Sequence, residues 1–164
     1  MQTADFAALV REHQSMVFSL AHHFLRDRAA AEELAQDVFL QLYRHIDQMQ
    51  SPEHVLFWLR RVTATRCISE ARRRQRRPEV PLEDAPEPEA PGSAVDLLAD
   101  ERLRRMVASL PEKSRMVVVL RYQEDLDPED IARVLDMSVN TVKSQLQRAL
   151  VMLRQKAAAM QVKP

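Results

Sequence analysis

"VLDMSVNTVKSQLQRAL", Val134 to Leu150, sets an apolar stretch ending in Leu135-Asp136-Met137 directly against a second helical pattern that starts at Ser138. Two helices so close in sequence must turn sharply, and a left-handed backbone is expected at the turn residue, Asp136. Glycine adopts it most easily, and aspartate and asparagine are the usual substitutes. Upstream, Asp127-Pro128-Glu129-Asp130 reads as a helix start, with a capping aspartate, proline at the first position and acids at the positive end of the dipole. The helix that follows carries Ile131, Val134 and Leu135, with small Ala132 where a close crossing is expected. Ser138 then caps a second helix whose buried stripe is Val139, Val142, Leu146 and Leu150. The pattern predicts a helix-turn-helix unit.

In such a unit the exposed start of the second helix enters the DNA major groove. Here that face offers Asn140, Thr141, Lys143, Ser144, Gln147 and Arg148. Asn and Gln read adenine edges, while Lys and Arg read guanine or hold phosphates. The plainer reading is two helices of a small bundle with a polar outer face. Tight spacing, the cap at Ser138 and a basic C-terminal stretch without acids favour DNA binding.

The rest of the chain agrees with a helical protein. Of 164 residues 46% are hydrophobic and 29% charged, which is globular, and a single glycine argues against an all-β fold with its many turns. The one cysteine, Cys67, excludes an internal disulfide and a multi-cysteine zinc site. His22 and His23 are adjacent, so they point to different helix faces and make a poor metal pair. No metal, cofactor or catalytic residue is expected: there are no paired carboxylates, nucleophile–base set or phosphate-cradling glycines. The N-terminus lacks a secretory pattern, and no apolar run nears the roughly 20 residues of a membrane span. A soluble, cytoplasmic protein without membrane insertion is expected.

The net charge of zero conceals blocks. Arg60 to Arg77 holds eight arginines against Glu70 alone, Glu79 to Glu101 holds eight acids and no base, and Met137 onward holds five bases and no acid. Such blocks address charged partners. The acidic block overlaps "RPEVPLEDAPEPEAPGSAVD", which has five of the nine prolines and the only glycine, Gly92. It reads as an extended linker.

Before the linker, Phe6, Leu9, Val10, Val17, Leu20 and Phe24 recur at helical spacing. A break near Arg26-Asp27 leads to a second helix with Leu34, Val38, Leu42 and Ile46 on one face. Ser51 caps a third helix, with Pro52 at its first position, running through Val55, Leu59 and Val62 to Ile68 and ending in exposed arginines. Trp58, Tyr43 and Cys67 are expected in the core, with the Tyr43 hydroxyl reaching outward. After the linker, Leu98, Leu103, Met106, Val107 and Leu110 suggest one helix, and Glu112 to about Gln123 another. "MVVVL" inside the latter has strand propensity, but its charged flanks favour helix.

Taken in order, these segments make the chain resemble a bacterial extracytoplasmic-function sigma factor of RNA polymerase. "LPEKSRMVVVLRYQEDLDPEDIARVLDMSVNTVKSQLQRALVMLR" resembles the family's C-terminal domain, which reads the −35 promoter element. "FLRDRAAAEELAQDVFLQLYRHID" and "FWLRRVTATRCISEARRRQRR" resemble its N-terminal domain, which holds core polymerase and the −10 element. The resemblance implies that Glu33, Gln36 and Asp37 dock on the coiled-coil of the polymerase β′ subunit, with β also a partner. Lys143, Ser144, Gln147 and Arg148 match −35-reading positions. It places −10 recognition in the Gln48–Glu53 loop, with Gln48, Gln50 and Ser51, and sets Arg60, Arg61 and Arg66 along promoter DNA. Arg72, Arg73, Arg74, Arg76 and Arg77 do the same or lead into the linker. The linker is either a solvated spacer or, by resemblance, a thread through the polymerase's basic channel. An anti-sigma factor is an expected partner.

The expectation is an all-α protein of two small helical domains: an N-terminal domain at 1–77, an acidic Pro-rich linker at 78–95, and a C-terminal domain with the helix-turn-helix at 96–160. Its expected function is to direct core polymerase to promoters, without being an enzyme. The alternatives are a helix-turn-helix regulator that does not engage polymerase and a protein-interaction module with no DNA role.

Overall fold

The computed structural model describes residues 3–76 and 101–161. Arg77, Leu98 and the expected linker at 78–95 lie outside them. The fold is all-α, and its contacts divide the chain into two compact units, Met1–Leu82 and Glu83–Pro164.

The first unit is built from α1 (Thr3–Leu25), α2 (Arg28–His45) and α3 (Pro52–Arg76), with one 3-10 turn at Ile46–Gln48. Much of the expected apolar stripes is core: Val17, Leu20 and Phe24 from α1, Leu34, Val38 and Leu42 from α2, and Val55 and Leu59 from α3 are buried. Phe6, Leu9, Val10, Val62 and Ile46, the last in the 3-10 turn, are half-buried. The reversal between α1 and α2 is compact because Arg26 adopts a left-handed backbone at φ 57°. Asp27 then caps α2, accepting the Ala30 N–H at 3.1 Å. Ser51 does the same for α3, accepting the His54 N–H at 3.0 Å.

The inward face of α3 runs through Cys67 and continues past Ile68 to Ala71, so its arginine-rich end is exposed mainly on one side. Cys67 is core, as expected. Trp58 is half-buried and packs beside His45, with ring centroids 5.8 Å apart. Tyr43 departs further from expectation, at 56% exposed. It falls off the Leu34–Val38–Leu42 stripe, and helical spacing outranks the general tendency of aromatics to be buried.

The second unit comprises α4 (Glu101–Ala108), α5 (Glu112–Tyr122), α6 (Pro128–Leu135) and α7 (Val139–Gln161). "MVVVL" is helical, and every residue from Met116 to Leu120 is buried. Such a run is tolerated because α5 is surrounded, packing against α4, α6 and α7. Strand propensity here reflects central position in a small core rather than a sheet.

Candidate nucleic-acid and polymerase interfaces

The helix-turn-helix is α6, the turn Asp136-Met137-Ser138, and α7. Asp127 caps α6 by accepting the Asp130 N–H at 2.8 Å, and Arg133 pairs with Asp130 one turn on. Asp136 is left-handed at φ 54° and ψ 52°, as expected, and its N–H reaches the Ala132 carbonyl. The Met137 N–H joins the same carbonyl at 3.0 Å. Both bonds close the last turn of α6 on the Ala132 carbonyl as the chain reverses toward α7. Ala132 is buried where the sequence expects a close crossing. Ser138 caps α7 by accepting the Thr141 N–H at 3.1 Å, and the two hydroxyls also meet at 2.8 Å.

On α7, Asn140, Thr141, Lys143, Ser144, Gln147 and Arg148 are all exposed, while Val142 and Ala149 are buried beneath them. Neither Lys143 nor Arg148 has an ion-pair partner among the described residues, and α7 carries no acid. The outer face is therefore cationic and solvated, rich in groups that donate to phosphate oxygens and base edges. Gln145 is different, for its side-chain oxygen accepts the buried Ser114 hydroxyl of α5 at 2.6 Å.

In the first unit α2 presents Glu33, Gln36 and Asp37 on its exposed side, as expected. The same side continues into Leu40, 57% exposed, and Tyr43, whose ring meets Phe6 edge-on at 5.2 Å. The sequence reading did not single out Leu40. The signal was present, since 33, 36, 37, 40 and 43 lie opposite the buried stripe. Two exposed apolar side chains thus lie beside three polar ones on this side of α2.

Between α2 and α3 lies a cleft of about 260 Å³ lined by Glu33, Asp37, Arg66, Glu70 and Arg73. The arginines of α3 divide into distinct groups. Arg61 is exposed, and Arg60 is half-buried with its Nε enclosed and unpartnered. Arg66 turns toward α2, where its Nε and Nη2 donate to the Gln41 oxygen at 3.0 and 2.9 Å. Arg73 bridges to Glu70 at 2.7 Å, and Arg74 to Asp27 at 3.0 Å. The Arg73 hydrogen bonds, with the Arg73 and Arg74 charges, hold the Glu70 carboxyl below the usual carboxylate range against its partial burial. Arg72 and Arg76 are exposed.

The expected Gln48–Glu53 loop is shorter in the structure, since Gln48 ends the 3-10 turn and Pro52 opens α3; across this segment Gln48, Gln50 and Ser51 are exposed. Its shape is set by two reciprocal bonds: Ser51 caps His54, and the His54 ring Nδ1 accepts the Gln50 N–H at 3.2 Å. His54 was another residue the sequence reading passed over, because histidine is not the usual third-position capping partner. Among the described residues no group of three His, Cys, Asp or Glu side chains is placed to hold a metal. No described helix is long and apolar enough to cross a membrane. Burial, and secondarily the Glu70 charge, push the Cys67 thiol well up from its ordinary value.

Comparison with known proteins places the two helical units in a family. Residues 9–77 match the family model of sigma-70 region 2, and residues 100–153 that of sigma-70 region 4. The ECF RNA polymerase sigma-E factor of Escherichia coli K12 is 31% identical over 157 residues, covering 88% of this chain and 82% of that protein. The chain belongs to the extracytoplasmic-function sigma factors. Sigma factors are not enzymes. This sigma factor is also 26% identical to the probable RNA polymerase sigma factor RfaY of Xanthomonas campestris, spanning 91% of its own length but 39% of that protein's. Its fold matches the sigma factor RpoE of Bartonella quintana, solved with the anti-sigma factor NepR, at a TM-score of 0.74 and 20% identity, covering 98% of this chain and 99% of that one.

Proposed function

We propose that this sigma factor brings core RNA polymerase to promoters by dividing the work between its two units. The second unit reads the −35 element through Asn140, Thr141, Lys143, Ser144, Gln147 and Arg148. The first docks on the coiled-coil of the polymerase β′ subunit through Glu33, Gln36 and Asp37, and the exposed Leu40 and Tyr43 extend that surface. The Gln48–Glu53 loop, through Gln48, Gln50 and Ser51, and the arginines Arg60 and Arg61 serve the −10 region. The segment at 78–95 tethers the two readers, so weak separate contacts combine through high effective concentration. It works in the cytoplasm, where its β and β′ partners are.

The observation that carries this reading is the cationic, acid-free outer face of α7, held at a fixed angle by the left-handed Asp136. The alternative, a regulator that never meets polymerase, leaves the polar-apolar strip on α2 without a purpose. An anti-sigma factor that covers the same strip is a natural inhibitor, and the likeness to a sigma factor solved in complex with one supports that partner.

In vitro transcription with purified core polymerase on a promoter library tests the reading. Promoter-specific initiation above core alone is expected. Charge reversal at Asp37 should abolish core binding and initiation while −35 DNA binding persists, and reversal at Lys143 and Arg148 should abolish −35 binding and promoter-specific initiation while core binding persists. Initiation no better than core alone refutes the proposal.

A further inference from the structure

The sequence groups Arg66 with the arginines that lie along promoter DNA, yet its side chain is spent elsewhere. Two of its N–H groups, on Nε and Nη2, converge on the Gln41 oxygen at 3.0 and 2.9 Å. Its Nη1 stands 3.9 Å from the Asp37 carboxylate. A guanidinium grips a phosphate with one of its paired N–H edges. One such edge of Arg66 is occupied by Gln41, and the other shares Nη2 and turns its Nη1 toward Asp37. The edge that remains faces the Asp37 carboxylate, whose negative charge disfavours a phosphate there.

The contact also orders α2. Arginine has only donors, so the Gln41 amide must turn its oxygen inward, which directs its NH₂ group away from Arg66. Asp37 and Gln41 lie one turn apart on α2, and this one side chain of α3 bonds Gln41 and stands beside Asp37. The Asp37 contact is long and half-exposed, with side chains 40% and 50% accessible, so charge attraction alone contributes little. The fork on Gln41 is the stronger constraint.

We propose that Arg66 is a positioning residue of the polymerase-docking surface, fixing Gln41 and Asp37 on α2, and not a DNA contact. This rests on the docking role assigned above to α2. Binding of fluorescently labelled full-length protein to purified core polymerase tests it, alongside promoter binding by preformed holoenzyme over a range of salt. Arg66→Met should weaken core binding about tenfold, the loss expected for a charge-assisted hydrogen bond. Arg66→Lys keeps the charge without the fork and should lose nearly as much. In a cycle with Asp37→Asn the two losses should fall short of additive, which a purely structural lesion would not produce. Gln41→Leu removes the acceptor and should copy the effect even if the Arg66 variants fold poorly.

Holoenzyme saturated with any of these variants should bind promoter DNA as the wild type does. Loss of one phosphate contact would flatten the slope of log affinity against log salt by about 0.9. Such a change, or core binding by Arg66→Met within twofold of wild type, overturns the inference while wild-type core binding leaves the proposed function intact. Wild-type protein that does not bind core at all overturns both.

Discussion

The Ser114 hydroxyl donates to the Gln145 side-chain oxygen across 2.6 Å, joining the buried helix α5 to the recognition helix α7. Gln145 lies between exposed Ser144 and Gln147 but is half-buried, its side-chain oxygen held by α5. Ser114→Ala leaves the Gln145 oxygen without its partner and should cost about 1–2 kcal/mol. Combining it with Gln145→Leu replaces both partners by apolar groups and should recover much of that loss. Urea unfolding at constant m-value measures it. A double variant whose loss equals the sum of the two single losses would show that the bond is incidental.

Asp136 sits where α6 ends, left-handed at φ 54°. A left-handed backbone costs an ordinary L-residue about 1–2 kcal/mol, and aspartate less because its side chain can bond locally. Asp136→Gly removes that strain but adds freedom to the unfolded chain, so stability should stay within about 1 kcal/mol of wild type. Asp136→Val adds a branched Cβ there and should lose about 1–3 kcal/mol. Affinity for −35 DNA should fall with it, because the α6–α7 angle depends on this residue. Equal stability and affinity for the glycine and valine variants would contradict this account of the turn.

What the sequence revealed and what it hid divide along the range of the signal. Caps and turns are written within three or four residues, so Asp127, Asp136 and Ser138 could be placed without coordinates, and so could the buried stripe of α2. The exposure of Tyr43 was legible from that same stripe, but the habit of burying aromatics obscured it. The partners of the arginines were not legible. Arg66 reaches Gln41 across 25 positions and Arg74 reaches Asp27 across 47, and only the packing of helices brings such pairs together. The sequence shows a run of arginines but not that Arg66 and Arg74 pair with side chains of the first unit.

Asp27 carries two duties on separate oxygens. Oδ1 caps α2 through the Ala30 N–H at 3.1 Å, and Oδ2 takes Arg74 at 3.0 Å. The cap contributes about 1 kcal/mol, and the partly exposed ion pair about 0–1 kcal/mol. Asp27→Ala should therefore lose about 1–2 kcal/mol. Asp27→Ser keeps a capping oxygen and should recover most of it. Its residual deficit should vanish in about 1 M salt, where the Debye length shrinks to about 3 Å. Thermal unfolding of the three proteins at low and high salt decides the matter. A serine variant as weak as the alanine one would mean that Arg74, not the cap, is what Asp27 supports.

Glu70 ties this region to pH. It is the one acid amid the arginines of α3, and Arg73 and Arg74 both donate to it. Those hydrogen bonds and charges lower its folded-state pKa, so the folded form holds the charged carboxylate more tightly than the unfolded chain does. Stability from this group is fully present above the unfolded value of about 4.3 and is lost as pH falls through the lower folded value. Glu70→Gln, which cannot ionise, should be less stable than wild type at neutral pH, with the gap closing as pH drops below about 4.5. Denaturant midpoints for both proteins between pH 3 and 7 test the sign directly. A gap that widens on acidification would mean that burial, which raises the pKa, outweighs the arginines, and that the carboxylate is a strain on the fold rather than a clasp within it.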